Sequence, residues 1–216
     1  AGRLLVLAGG GSDGDVKSLQ VTVLELGLSA HVKIRHNVED AEKFDLLAAA
    51  DVFVSPVDNQ QETFGIAVVE AMAAGLPVVA SRWDGYKDLV DDGVTGILVP
   101  VSWASLPADV LALRAVLEPD IAQLATSQGV AVDPGALRIA LERLLDDPNL
   151  ARGMGEAARV KAEREFSWKA VIARLAGIWS DLRRVADDMA IPGKGWGGDP
   201  EILDPAFAFG HYADPD

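Results

Sequence analysis

The sequence predicts an α/β fold: a parallel sheet with helices on both faces, followed by C-terminal helices and an irregular tail. Three observations predict it. Short apolar runs closed by Gly, Pro or Ser recur from Leu4 to Val99, segments of helical period lie between them, and 50% hydrophobic and 24% charged residues over 216 positions are the proportions of a globular protein. Strands alternating with helices at this spacing imply right-handed βαβ units, whose ligands sit at the carboxyl ends of the strands.

In chain order, Leu4 to Ala8 is a wholly apolar run ended by glycines, as expected of a central strand covered on both faces. Asp13 to Leu28 places Val16, Leu19, Val23 and Leu26 three or four apart and stops at Gly27, the pattern of a helix. His31 to Arg35 alternates like a strand, Asp40 to Ala50 returns to helical spacing, and Asp51 to Ser55 is a strand closed by Pro56. A helix follows Gly65, Pro77 to Ser81 and Gly96 to Val99 are further strands, and Tyr86 to Val90 is a short helix between them. Val101 to Val132 is apolar without a clear strand and reads as an insertion, with helices expected near Leu106 to Leu117 and Ile121 to Thr126. Three helices are expected over Pro134 to Leu145, Leu150 to Glu165 and Trp168 to Met189, with Pro134 in a first turn and Ser167 as a cap. The expected division is one domain over 1–190, including the insertion at 101–132, and a Gly/Pro/Asp-rich tail over 191–216.

A net charge of -14 argues against nucleic acid or an anionic membrane as the main partner, because both are bound through Lys/Arg excess. Without cysteine there is no disulfide framework and no thiolate metal site, which fits a cytoplasmic setting. No apolar run reaches the roughly 20 residues of a membrane helix. Ala1 leads almost at once into Leu4 to Ala8, which reads as a start inside a domain rather than a signal peptide.

Few residues carry a chemical pattern. Gly9 to Gly14 formally satisfies G-x-G-x-x-G between strand and helix, but Arg35-His36-Asn37 stands where an NAD protein would present Asp or Glu to the ribose. Arg35 would suit a 2′-phosphate, so an NADP-binding oxidoreductase is an alternative, and a plain tight turn is favoured. His31, His36 and His211 lack metal-ligand spacing, and no metal site is assigned. Ser81 lacks the context of a nucleophile elbow, and Trp103, Trp168 and Trp179, set among aliphatic neighbours, read as packing residues. The stretch Glu62 to Ser81 differs. Gly65 allows close approach of a ligand, the helix after it offers unpaired N–H groups to an anion, and Glu70 sits on a helix so apolar that its carboxylate requires a partner. Glu62 and Glu70 would bracket one elongated polar ligand.

Glu62, Phe64-Gly65, Glu70-Ala71-Met72-Ala73, Gly75 and Pro77 to Ser81 form an E-x(7)-E pattern within E-x-F-G, E-A-M-A-x-G and P-V-V-A-S. With Asp51 to Pro56, Asp92 to Pro100 and Phe166-Ser167-Trp168, this closely resembles the family-4, glycogen-synthase-like retaining glycosyltransferases of GT-B architecture, over about Leu4 to Leu182 apart from the insertion. The resemblance implies the Rossmann-like C-terminal half of a GT-B fold and transfer of a sugar from a UDP- or GDP-linked donor with retention, without a cofactor or a required metal. Glu62, the residue of the set given a catalytic role, would hydrogen-bond hydroxyls of the donor sugar. Thr63, Phe64, Gly65 and Ile66 would present backbone N–H groups to sugar and diphosphate, Glu70 would bind the ribose, and the backbone at His36, Asn37 and Val38 would receive the base. Family members neutralise the diphosphate with an Arg and a Lys upstream of the strand matching Leu4 to Ala8, and carry the acceptor site on an N-terminal Rossmann domain. Neither lies in this sequence, so the chain alone is expected to bind a donor without turning it over. The acceptor is not indicated, and a non-catalytic sugar-nucleotide-binding module is the other alternative.

Overall fold

The computed structural model describes residues 2–57, 62–103, 108, 112, 116–118 and 129–188. The tail at 191–216 lies outside these residues, as does most of the stretch between 104 and 128 in which the sequence predicts helices. The chain divides into two compact units, 1–170 and 171–216.

In the first unit, β1 (Leu5–Gly9) and β2 (Val32–His36) pair in parallel, Leu5 opposite Val32 and Gly9 opposite His36. β3 (Phe53–Ser55), β4 (Val78–Ser81) and β5 (Gly96–Val99) form a second parallel sheet in that order. The helices α1 (Asp13–Glu25), α2 (Asp40–Ala49), α3 (Ile66–Ala73) and α4 (Tyr86–Leu89) fall between successive strands, as the alternation requires. α5 (Pro134–Asp146) and α6 (Pro148–Glu165) follow, each opening with Pro after an Asp whose carboxylate accepts two backbone N–H bonds. α7 (Trp168–Asp188) starts after Ser167, whose Oγ accepts from the Ala170 N–H at 3.3 Å.

β4 is the central strand, with all four residues buried. Alternation along it makes the two faces of the fold. Val78 and Ala80 meet Val68, Ala71 and Met72 of α3, Tyr86 and Leu89 of α4, and Ala158 and Ala162 of α6. Val79 and Val99 meet Ala140 and Leu144 of α5 and Met154 of α6. Full burial of Val68 and Met72 stabilises this packing by about 1.5–3 kcal/mol each. α3 is thereby pinned to the sheet from below, which fixes where its N-terminus points.

Three expectations need correction. β1 is not covered on both faces: Leu5 is 48% exposed, and α1 beside it buries no residue. Among the described residues β1 pairs along one edge, with β2. Val101 to Val132 does contain strands, since β6 (Val101–Trp103) and β7 (Val130–Val132) pair antiparallel. Three residues each, and far apart in sequence, they are too short for an alternating pattern to show. Trp103, Trp168 and Trp179 are not buried packing residues, being 58%, 81% and 64% exposed. Aliphatic neighbours in sequence fall on other sides of a helix or strand, so they say little about the face a Trp occupies. Trp103 does contact Trp83, with ring centroids 5.3 Å apart.

Candidate functional site

The carboxyl ends of β3 and β4 lead to the starts of α3 and α4, and the loop Glu62–Gly65 lies between them in sequence. Gly65 caps α3 in the left-handed region, at φ +94°, where a side chain would be strained. A Cβ placed there would also overlap the ring of Tyr86, so both the backbone conformation and the space require glycine. No side chain caps α3, and its first turn holds no acidic residue. Its positive dipole end therefore lies beside the exposed Phe64 and Ile66, with the Val68 N–H already taken by the Gly65 carbonyl at 3.0 Å.

The N-terminus of α1 presents the opposite case. There Ser12 and Asp15 form a capping box: Asp15 N–H donates to Ser12 Oγ, while Ser12 N–H and Oγ–H donate to the Asp15 carboxylate at 3.0 and 2.7 Å. These bonds hold the Asp15 carboxyl below its ordinary range. The N–H groups of Ser12 and Asp15 are thus taken within the chain, and Gly9 to Gly14 leads into a capped helix start.

Glu70 has the partner that its apolar helix requires. Lys43 Nζ of α2 donates to Glu70 Oε1 at 2.7 Å and also reaches Asp40 at 3.1 Å. The bond to Glu70, then that to Asp40, raises the lysine above its ordinary value, so it is cationic at neutral pH. Lys43 also lines a cavity of about 410 Å³ with Ala8, Gly9, Gly10, Asn37 and Val38. This cavity sits at the carboxyl ends of β1 and β2, where Asn37 takes a positive φ of 53°. The His36 ring is engaged elsewhere, since its Nε2 bonds the Gly11 carbonyl at 2.8 Å and ties the glycine turn to β2.

The structure therefore brings Glu70 to the edge of the cavity bounded by Asn37 and Val38, through Lys43, and it places Glu62 in the loop leading into α3. Glu62 is half-buried, and its Oε1 lies 3.4 Å from the Phe64 N–H. The sequence did not single out Lys43. A signal for it existed, because Lys43 lies one helical turn before Leu47, the buried residue of α2, and so shares its inward side. Phe166 is a second addition: its ring meets the Phe64 ring edge-on, centroids 6.0 Å apart, and supports the loop from the end of α6.

Comparison with known proteins decides the family. Residues 2–113, more than half the chain, match the family described as glycosyl transferases group 1. The chain belongs to the group 1 glycosyl transferases. Among curated relatives of the family, it is 46% identical over 96 residues to the phosphatidyl-myo-inositol mannosyltransferase of Mycobacterium tuberculosis, covering 44% of this chain and 25% of that protein. It is 34% identical over 166 residues to the MMP alpha-(1->4)-mannosyltransferase of Mycolicibacterium hassiacum, covering 76% of this chain and 33% of that protein. The chain thus spans about a quarter to a third of the length of these relatives. Sucrose-phosphate synthase of Thermosynechococcus elongatus superposes with TM-score 0.60 at 26% identity over 84% of this chain and 39% of that one. Anabaena HepE, solved in complex with UDP and glucose, superposes with TM-score 0.57 at 25% identity over 82% of this chain and 40% of that one. The fold of this group 1 chain is accordingly of the GT-B glycosyltransferase type.

Proposed function

We propose that this chain is the donor-binding half of a retaining, family-4 type glycosyltransferase that takes a nucleoside-diphosphate sugar. The observation that carries the reading is the uncapped N-terminus of α3 behind left-handed Gly65, beside a Lys43–Glu70 pair at the mouth of a polar-edged cavity. Each part suits one portion of such a donor. The amides from Thr63 to Ile66 suit the diphosphate, since N–H groups and the dipole at a helix N-terminus favour an anion, the Phe64 N–H exchanging its long 3.4 Å bond to Glu62 for the ligand. Glu70 suits the ribose: Lys43 holds Oε1, leaving Oε2 to accept from ribose hydroxyls. The cavity bounded by Asn37 and Val38 suits the base, received by backbone rather than by the His36 ring, which is engaged with Gly11. Glu62 would accept hydroxyl protons of the sugar.

In the transfer step the bond from the anomeric carbon to the diphosphate oxygen breaks with its electron pair going to that oxygen, and the acceptor hydroxyl bonds the same carbon from the same face, its proton passing to the leaving diphosphate. Negative charge then grows on the leaving diphosphate. Preorganised dipoles at the α3 N-terminus would stabilise it in place, which is the usual source of rate enhancement for such a step; the Lys43 charge is already offset by Glu70 and Asp40. No metal is required in this scheme, so EDTA should leave donor affinity unchanged. Because the chain spans a quarter to a third of the relatives' length, the acceptor-side groups are expected from a further domain, and this chain alone should bind without turnover.

Calorimetry on two variants tests the assignment. Glu70→Ala should weaken nucleoside-diphosphate binding by about tenfold or more, the effect of losing hydrogen bonds to a charged group. Asp45→Ala, an exposed carboxylate of the neighbouring helix, should leave it unchanged. Equal effects of the two would refute the site.

A further inference from the structure

Tyr86 is among the most buried large side chains of the molecule, 2% exposed, yet it carries a hydroxyl. That hydroxyl bonds Ser55 Oγ at 2.8 Å, at the carboxyl end of β3. The Tyr86 ring lies directly against Gly65, where a Cβ would overlap it. The residue before it does the same for the rest of the loop: a Cβ on Gly85 would collide with the Thr63 carbonyl and sit 3.0 Å from the Phe64 Cα. The backbone from Thr63 to Gly65 is therefore seated on Gly85-Tyr86, and Phe166 closes on Phe64 from a separate element. Glu62 lies near enough for its charge to act on the phenol. Burial first, and then that charge, raise Tyr86 above its ordinary range, against the opposing effect of the Ser55 bond.

We propose that Tyr86, held by Ser55, is a positioning residue that sets the Thr63–Gly65 loop in the geometry that binds the donor diphosphate. The inference rests on the donor-binding reading and extends it to a residue buried beneath the loop. A ring that is fixed at one end by a hydroxyl bond, and that fills the space under a left-handed glycine, leaves the loop little freedom. The loop amides then meet the diphosphate without first being ordered, which improves affinity by avoiding that cost. The Ser55 bond adds a directional tether to the core packing that already holds the ring under Gly65.

The test separates loop placement from general stability by using ligands with and without the diphosphate. Titrate the chain with uridine, UDP, guanosine and GDP, then repeat with Tyr86→Phe and Ser55→Ala. Tyr86→Phe keeps the ring and removes the bond, and Ser55→Ala removes the same bond from the other side, so a fold lost in one variant leaves the other to be read. Both should weaken binding of the preferred nucleoside diphosphate by about five- to tenfold, the effect of one hydrogen bond. Both should leave the matching nucleoside within about twofold, and the double variant should be no worse than either single one. Equal losses for nucleoside and diphosphate would mean a structural role and overturn the proposal, as would no loss for either. If the parent chain binds neither UDP nor GDP, the donor-binding reading fails, and the positioning role fails with it. If the parent binds and the variants match it, only the role of Tyr86 is lost.

Discussion

Lys43 and Glu70 show how a residue's chemistry is set by a partner far away in sequence. Glu70 was legible because a carboxylate among Ala67, Val68, Val69, Ala71 and Met72 demands a counter-charge. Which cation supplies it was not legible, since a lysine on a helix is usually a solvated one, and the contact spans 27 positions between separate helices. Lys43→Met should preserve the stem and remove the charge, weakening nucleoside-diphosphate binding by about tenfold in calorimetry. The pH dependence follows from the sign of the shift. Lys43 is raised above its ordinary 10.5, so the pair is intact below that value and is lost only as pH rises through the higher folded value. Affinity should therefore not fall between about pH 7 and pH 10 through this pair. A fall in that range, present in the parent and absent from Lys43→Met, would contradict the assignment.

At the scale of elements, the alternation of apolar runs with helical periods marked β1 to β5 and α1 to α4 to within a few residues, because the two periods differ and several elements end at a Gly, Pro or Ser. What the sequence could not show was contact between elements. The clasp between α6 and the end of α4 with the turn after it is one example: Lys161 is 6% exposed and donates to the Asp91 carboxylate at 2.8 Å and to the Asp88 carbonyl at 3.1 Å. The spacing of Lys161 from Met154 and Ala158 puts it on the buried side of α6, but nothing local shows which carboxylate it meets there. Lys161→Met should destabilise the fold by about 1–2 kcal/mol, given that Asp91 remains half-exposed and screened. That corresponds to a fall of roughly 2–8 °C in Tm.

For the whole molecule, two helix N-termini in similar strand–turn–helix settings carry opposite instructions. α1 is closed by its own Ser12–Asp15 box, and α3 is left open behind a left-handed glycine. The glycine-rich motif before α1 points to the closed one, because a pattern of glycines records backbone freedom and not whether a carboxylate fills the turn. The E-x(7)-E stretch identifies the open one, because its residues bear the chemistry directly. Among the described residues no helix is long and apolar enough to cross a membrane. The measurement that tests the central claim most directly is a calorimetric titration of the chain with UDP- and GDP-linked sugars and, in parallel, with NADP. The open α3 end and the Lys43–Glu70 pair predict saturable binding of one of the nucleotide sugars and none of NADP. Binding of NADP alone would contradict the account.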